Sequence, residues 1–219
     1  MPAGSTTLVF PIAWMTLWPG IGLVATGALM IYSSKIGKLR ERERLLDLVP
    51  WNGDELVLDM GCGRGLLLIG AAKRLTTGKS VGIDLWQAED LSGNRLEATL
   101  ENAQREGVAD RVEVHTGDMR QLPFANQSFD VIVSRAAIHN IYDPKERARA
   151  LTEIARVLKP GGYVVISDVR HAREYIAALQ GQGLQGVRRV TSAAPLMFYA
   201  ILTAGNLRPA SIVGRKPPS

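Results

Sequence analysis

Three aspartates lie at or just past the ends of short apolar runs: L-V-L-D at 56–59, V-G-I-D at 81–84 and V-H-T-G-D at 114–118. An ionised carboxylate only accepts hydrogen bonds, so three around one ligand suit a cationic molecule rich in donors. Directly after Asp59 come Gly61, Gly63 and Gly65, spaced G-x-G-x-G. Glycines there let the backbone take positive φ and approach a ligand that a Cβ would hold off. The first N–H groups of a following helix then face whatever lies over the turn. Asp84 can accept both hydroxyls of a ribose. Asp59 would attract an α-amino group and repel a pyrophosphate, and Asp118 could accept from the amino group of an adenine. An acid closing the second strand equally suits NAD when taken alone. The glycine spacing departs from the dinucleotide G-x-G-x-x-G, and Asp59 and Asp118 add charge that NAD would not want. Each acid singly could be a cap or turn residue; three at successive strand ends point to one amino-bearing adenosine ligand.

Short elements must bring these acids together. A buried strand at 56–60 feeds the glycine turn, and residues 66–75 form a helix that starts there. Further strands are predicted at 80–85, 112–116, 129–134 and 163–168, with edge-side strands at 187–191 and 212–215. Helices are predicted over 35–49, where the pattern is amphipathic, over 92–106, from Asp143-Pro144 through Leu158, and over 173–179. Asp143 serves as N-cap with Pro144 in the first helical position. Strands alternating with helices specify an α/β fold, a mostly parallel sheet with helices on both faces. The chain's 219 residues are 46% hydrophobic, enough for a substantial core. Residues 195–203, P-L-M-F-Y-A-I-L-T, are too short to span a bilayer and could be a strand, a pocket wall or a membrane-facing patch.

In this order, the motifs L-D-M-G-C-G-R-G at 58–65, V-G-I-D at 81–84, G-D-M-R-Q-L-P-F at 117–124, F-D-V-I-V-S at 129–134 and L-K-P-G-G at 158–162 carry a resemblance. The chain resembles the class I S-adenosylmethionine-dependent methyltransferases over residues 50–170, and more weakly to 217. Within them it looks most like the small-molecule branch that includes quinone-ring methyltransferases. The resemblance implies a Rossmann-like seven-stranded sheet of order 3-2-1-4-5-7-6, strand 7 antiparallel, and S-adenosyl-L-methionine as cofactor. It places Asp59 and the loop of Gly61, Gly63 and Gly65 on the methionine portion, Asp84 on the ribose, and Asp118 with Met119 at the adenine. It also counts Leu85, Gly117 and Arg135 among the cofactor-binding residues, with Arg135 and Ala136 near the methyl-transfer crevice. The segment L-W-Q-A-E-D-L-S-G-N at 85–94 departs from the family pattern. Trp86 could cover the adenine, or the segment could shape a substrate entry.

A sulfonium methyl is transferred in line to a nucleophile, so positioning and exclusion of water carry much of the rate. A hydroxyl or ring-carbon acceptor must also lose a proton. His139, past strand four, and His171 with Asp168, past strand five, could act as base, or could instead orient the substrate. Asn140 could orient an acceptor oxygen. Cys62 is the only cysteine, which excludes an intrachain disulfide and a cysteine-based metal cluster. The three histidines show no metal-ligand spacing, so no metal is expected. Ser134-Arg135-Ala136-Ala137 stands where the resemblance would put an N/D-P-P-Y/F tetrad, which disfavours methylation of adenine or glutamine amines.

Residues 1–34 carry no charge, and 8–31 are almost wholly apolar, with Trp14, Trp18 and Tyr32 placed as interfacial aromatics. The length suits a bilayer helix of ~20 residues, although Pro11, Pro19 and Gly20 divide it. Lys35, Lys38, Arg40, Arg42 and Arg44 follow, which favours a cytoplasmic catalytic domain. The expectation is a hydrophobic N-terminal helix within residues 1–35, reaching the membrane through 8–32, ahead of a methyltransferase domain at 36–219. A lid over the pocket is the alternative. Function is then expected to be methyl transfer to a small, lipophilic acceptor at a membrane surface. A net charge of +5 prompts an RNA methyltransferase as the competing enzyme. No basic stripe interleaved with aromatics supports a nucleic-acid partner. A non-catalytic S-adenosylmethionine-binding protein is the third reading.

Overall fold

Strand β1 (Leu56–Met60) lies in the interior of the sheet, and its alternate side chains enter two different cores. Leu58 and Met60 point to one face and Val57 to the other, the period-2 alternation of a strand buried on both sides. The same alternation holds for Ile132 between Val131 and Val133, and for Val165 between Val164 and Ile166.

The computed structural model describes residues 17–18, 20–24, 26–27, 37–87, 93–190 and 209–218. Residues 42 onward, within the unit Arg42–Ser219, hold the sheet. The described elements in chain order are α1 (Lys38–Leu46), β1, α2 (Leu66–Ala72), β2 (Lys79–Asp84), α3 (Leu96–Arg105) and β3 (Val112–Thr116). Then follow β4 (Phe129–Arg135), α4 (Pro144–Val157), β5 (Leu158–Asp168), α5 (Ala172–Gly181), β6 (Gln185–Arg189) and β7 (Ala210–Arg215). Seven strands pair in the order β3-β2-β1-β4-β5-β7-β6. Pairing is parallel from β3 through β5, and β7 runs antiparallel to both β5 and β6. This is the sheet that the resemblance implies. Leu151, Ile154, Tyr175 and Leu179 from α4 and α5 cover one face, while Leu45, Leu46, Leu67 and Ala71 from α1 and α2 cover the other.

The parallel register puts the carboxyl ends of β1, β2 and β4 along one edge: Asp59 lies beside Gly82 of β2 and Val133 of β4. Open α/β sheets bind ligands beyond that edge. Asp143 caps α4 as expected, its side chain accepting from the Lys145 N–H at 2.8 Å, with Pro144 in the first turn.

The membrane anchor expected over residues 8–32 is corrected. Among the described residues no helix is long and apolar enough to cross a membrane. The helical residues described there are 17–18, 20–24 and 26–27. The other residues of that run lie outside the described set. With the anchor go the expectations built on it: membrane association, a catalytic domain fixed on the cytoplasmic side, and a reaction at a membrane surface. Two of the basic residues that follow the apolar run make contacts within the domain. Arg42 is buried and pairs with Glu43 at 2.7 Å, and Arg44 donates to the Val190 carbonyl at 2.7 Å. The apolar segment at 195–203 and residues 88–92 also lie outside the described residues.

Candidate active site

Beyond β1 the chain turns through Gly61, Gly63 and Gly65, all at positive φ. Gly61 is the tightest: at φ 73°, a Cβ there would stand 2.3 Å from the Cβ of Ala137, on the loop after β4. Only glycine lets the two loops come this close. Helix α3 holds the turn from the other side. The Thr99 hydroxyl donates to the Gly63 carbonyl at 2.6 Å, and the Asn102 amide to the Arg64 carbonyl at 3.0 Å. Sequence patterning missed both, because Thr99 and Asn102 look like ordinary polar helix positions.

Asp59 is 2% exposed, and its Oδ2 accepts from the Leu68 N–H in the first turn of α2 at 2.8 Å. Burial, helped by the negative charge of Asp84, pushes its pKa up to about 7; the Leu68 hydrogen bond and the Arg135 guanidinium pull the other way. Two acids so close, with one of them held near neutrality, make a place that a cationic amino group would stabilise. Cys62, inside the turn, is buried, and burial with the charges of Asp59 and Asp84 pushes its thiol far up. It is no nucleophile.

Asp84 is half-buried at the end of β2. Its Oδ2 accepts from the Gly63 N–H at 2.8 Å, and its Oδ1 from the Trp86 N–H at 2.7 Å and the Asn94 amide at 3.1 Å. The acid therefore organises the glycine turn and the start of the 85–94 segment together, with acceptor capacity left on Oδ2. Leu85 is 46% exposed beside it. Trp86 takes the left-handed conformation at φ 59°, and its Nε1 donates to the Thr116 hydroxyl at 2.8 Å, which fastens it across the end of β3. Gly117 donates its N–H to the Asp84 carbonyl at 3.0 Å, which brings the G-D-M turn beside Asp84. Met119 reaches the glycine turn: its Cε would meet a Cβ on Gly61 at 3.2 Å.

Asp118 is already engaged. Arg120 Nε lies 2.9 Å from Oδ1 and 2.8 Å from Oδ2, Nη2 also bonds Oδ2, and the Arg120 backbone N–H donates to Oδ1 at 2.8 Å. The guanidinium holds this carboxyl below the usual carboxylate range. Arg120 also approaches Glu146 of α4 at 3.5 Å.

At the ends of β4 and β5, Ser134 donates to the Met60 carbonyl at 2.8 Å, and the Ala136 N–H to the Ser167 carbonyl at 2.8 Å. Arg135 is half-buried there and contributes positive charge to Asp59. A short 3-10 turn, Ile138–Asn140, carries His139 and Asn140, both half-buried. Asp168, 4% exposed, meets His139 and not His171: its Oδ2 accepts the His139 backbone N–H at 3.0 Å, and its Oδ1 lies 2.5 Å from His139 Nδ1. His171 sits at φ 61° ahead of α5, with its Nδ1 3.4 Å from Glu174. Arg147, buried on α4, fastens these loops to each other. It donates to the Ile141 and Tyr142 carbonyls at 2.7 and 2.9 Å, and pairs with both oxygens of Glu174 at 2.9 Å. The structure thus collects Asp59, the glycines, Asp84, Gly117, Met119 and Arg135 around one crevice, with His139 and Asp168 at its β4–β5 side.

The methyltransferase-domain family matches residues 52–191 of this chain. The chain belongs to that family. It is an S-adenosylmethionine-dependent methyltransferase domain. Methyltransferase GfsG of Streptomyces halstedii is 34% identical over 130 residues, 59% of this chain and 43% of that protein. Demethylmenaquinone methyltransferase of Lactiplantibacillus plantarum is 37% identical over 110 residues, 50% of this chain and 43% of its own length. The chain spans about half the length of the curated relatives it matches. A geranyl diphosphate methyltransferase solved with its diphosphate and sinefungin shares the fold at a TM-score of 0.63 and 20% identity, over 81% of this chain and 77% of that one. The [4+2]-cyclase SpnF does so at a TM-score of 0.65 and 20% identity, over 83% and 81%.

S-adenosylmethionine fits the donor set of this methyltransferase domain. The crevice offers a glycine turn that a Cβ would block and two acids, Asp59 and Asp84, the second of which raises the cost of ionising the buried first. A ligand carrying an ammonium, a sulfonium and ribose hydroxyls answers both features.

Proposed function

We propose that residues 36–219 transfer a methyl group from S-adenosylmethionine to a small, lipophilic acceptor, with His139 taking the proton that the acceptor gives up. Support for the acceptor class comes from the demethylmenaquinone methyltransferase and from a 27-O-demethylrifamycin SV methyltransferase of Amycolatopsis mediterranei, 30% identical over 129 residues. The observation that carries the base is His139 standing at the carboxyl edge of β4, held there by Asp168.

The cofactor supplies a methyl group on a positively charged sulfur, which leaves as a neutral thioether. Asp59 would hold the amino end and Asp84 the ribose, while Met119, Leu85 and Gly117 line the adenosine side. Asp118 would reach the adenine amino group once Arg120 yields a lone pair. Arg135, at the end of β4, stays near Asp59 and offsets part of its charge. As the acceptor's oxygen or ring carbon bonds the methyl carbon, its proton passes to His139, and Asn140 steadies the acceptor oxygen. His171 stands on the far side of Glu174 and serves the rim of the crevice. Rate comes from alignment in a site from which water is excluded.

The test is direct. Protein with methyl-labelled cofactor and demethylmenaquinol should move label into the organic phase, and His139→Gln should lower that transfer at least ~100-fold, the upper part of what a general base contributes. Cofactor binding by calorimetry without transfer to any quinol or to a demethylated rifamycin would refute the acceptor class; absence of binding would refute the cofactor placement.

A further inference from the structure

Asp168 closes β5 with its carboxylate buried among donors. Oδ1 accepts the Val169 N–H at 2.7 Å, and Oδ2 accepts the His139 N–H at 3.0 Å and the Tyr175 hydroxyl at 3.2 Å. Tyr175 is fully buried on α5, and burial beside Asp168 pushes its hydroxyl well up, so it remains a donor. Against this carboxylate stands His139 Nδ1, 2.5 Å from Oδ1 and off the line of an ideal hydrogen bond. A lone pair on Nδ1 would face the lone pairs of a carboxylate at that separation; a proton on Nδ1 turns the contact attractive. A neutral imidazole has one N–H, so a proton on Nδ1 leaves the lone pair on Nε2.

The backbone that carries the ring is held in place. The His139 N–H is tied to Asp168, and the two carbonyls that follow the turn are held by buried Arg147, which is itself locked to Glu174 of α5. The charged and titratable groups around this cluster are therefore Asp168, Tyr175, Arg147 and Glu174, with His171 beyond Glu174. His139 remains 22% exposed by its side chain, so part of the ring is open to solvent.

We propose that Asp168 and Tyr175 are positioning residues that hold the proton of neutral His139 on Nδ1 and leave Nε2 as the atom that accepts the substrate proton. This rests on the reading of His139 as base, and it says which nitrogen does the work and what selects it. No other titratable group needs to move.

Side-chain nitrogen NMR of the full chain tests it without any acceptor. Long-range proton–nitrogen correlations distinguish a protonated Nδ1 from a protonated Nε2, and loss of one set of signals in His139→Gln assigns it among the three histidines. The native protein, above the pH at which its imidazoles carry two protons, is expected to show His139 protonated on Nδ1. Asp168→Asn is expected to lose that preference, and Tyr175→Phe, which keeps the buried ring, to weaken it. A native His139 protonated on Nε2, or a tautomer unchanged in Asp168→Asn, overturns the proposal. Should Asp168→Asn fail to fold, the native spectrum and Tyr175→Phe still decide. In the quinol assay, Asp168→Asn should lower kcat with little change in the KM for S-adenosylmethionine. The expected tautomer together with full activity in His139→Gln would instead remove the base and leave the tautomer assignment standing.

Discussion

Asp59 holds its charge where water cannot reach it, and that has a consequence for stability. In the unfolded chain its carboxyl ionises near 3.8; in the fold it keeps its proton until about 7. Between those values the folded protein binds more protons, so this residue's contribution is fully present below about pH 4 and is lost as pH rises through 7. Asp59→Asn can still accept from the Leu68 N–H and carries no charge. The variant should match the native protein near pH 4 and exceed it at pH 8 by up to ~4 kcal/mol, at about 1.4 kcal/mol per pKa unit. Urea unfolding at the two pH values measures the difference. Arg120 poses the other question at this scale. It occupies both oxygens of Asp118, so an adenine amino group would have to compete with a guanidinium. If Asp118 takes the adenine, Arg120→Ala should tighten S-adenosylmethionine binding several-fold in calorimetry; weaker or unchanged binding would remove Asp118 from the cofactor set. The acids were legible in the sequence because each ends a strand or follows closely on one. Their competitors were not, since an arginine two residues away reads as one more surface charge. The His139–Asp168 pairing was equally hidden, because Ala136 at φ 52° and His171 at φ 61° set where these loops point, and neither residue type announces a left-handed turn.

Among the elements, the glycine turn is the most exacting. A methyl on Gly61 would collide with Ala137 and sit at a φ that side chains avoid. Gly61→Ala should cost roughly 1–3 kcal/mol in thermal unfolding and abolish cofactor binding. Adding Ala137→Gly should recover part of the stability, because it removes the collision and leaves the backbone strain. Most element centres could be read from apolar runs bounded by glycine and proline, and β3 keeps the bounds 112–116 expected for it. Ends moved where pairing overrode local preference. L-K-P-G-G reads as a helix stop and a turn, yet β5 begins at Leu158: Lys159 pairs with Asp130 at 2.8 Å, and the Gly161 N–H bonds the Lys216 carbonyl at 3.0 Å. Those partners lie far along the chain, where no local pattern can see them.

For the molecule as a whole, alternation of strand and helix specified the layers, and the family motifs specified the strand order. The membrane reading failed for a different reason. Hydropathy counts side chains, whereas crossing a bilayer requires an unbroken hydrogen-bonded backbone, and among the described residues no helix is long and apolar enough for that. The sheet also fixes what the lone cysteine can report. Cys62 packs beneath the glycine turn, its sulfur lying where a Cβ on Gly82 would be 2.8 Å away, and its thiol is held protonated. Alkylation must therefore wait until the turn lifts, so a maleimide added to the native protein acts as a stopwatch on that opening. Saturating S-adenosylmethionine should slow the reaction, while strands far from the crevice keep their amide exchange rates. One sulfur atom, read by mass spectrometry, would then report how fully the nucleoside occupies the site without any acceptor in the tube.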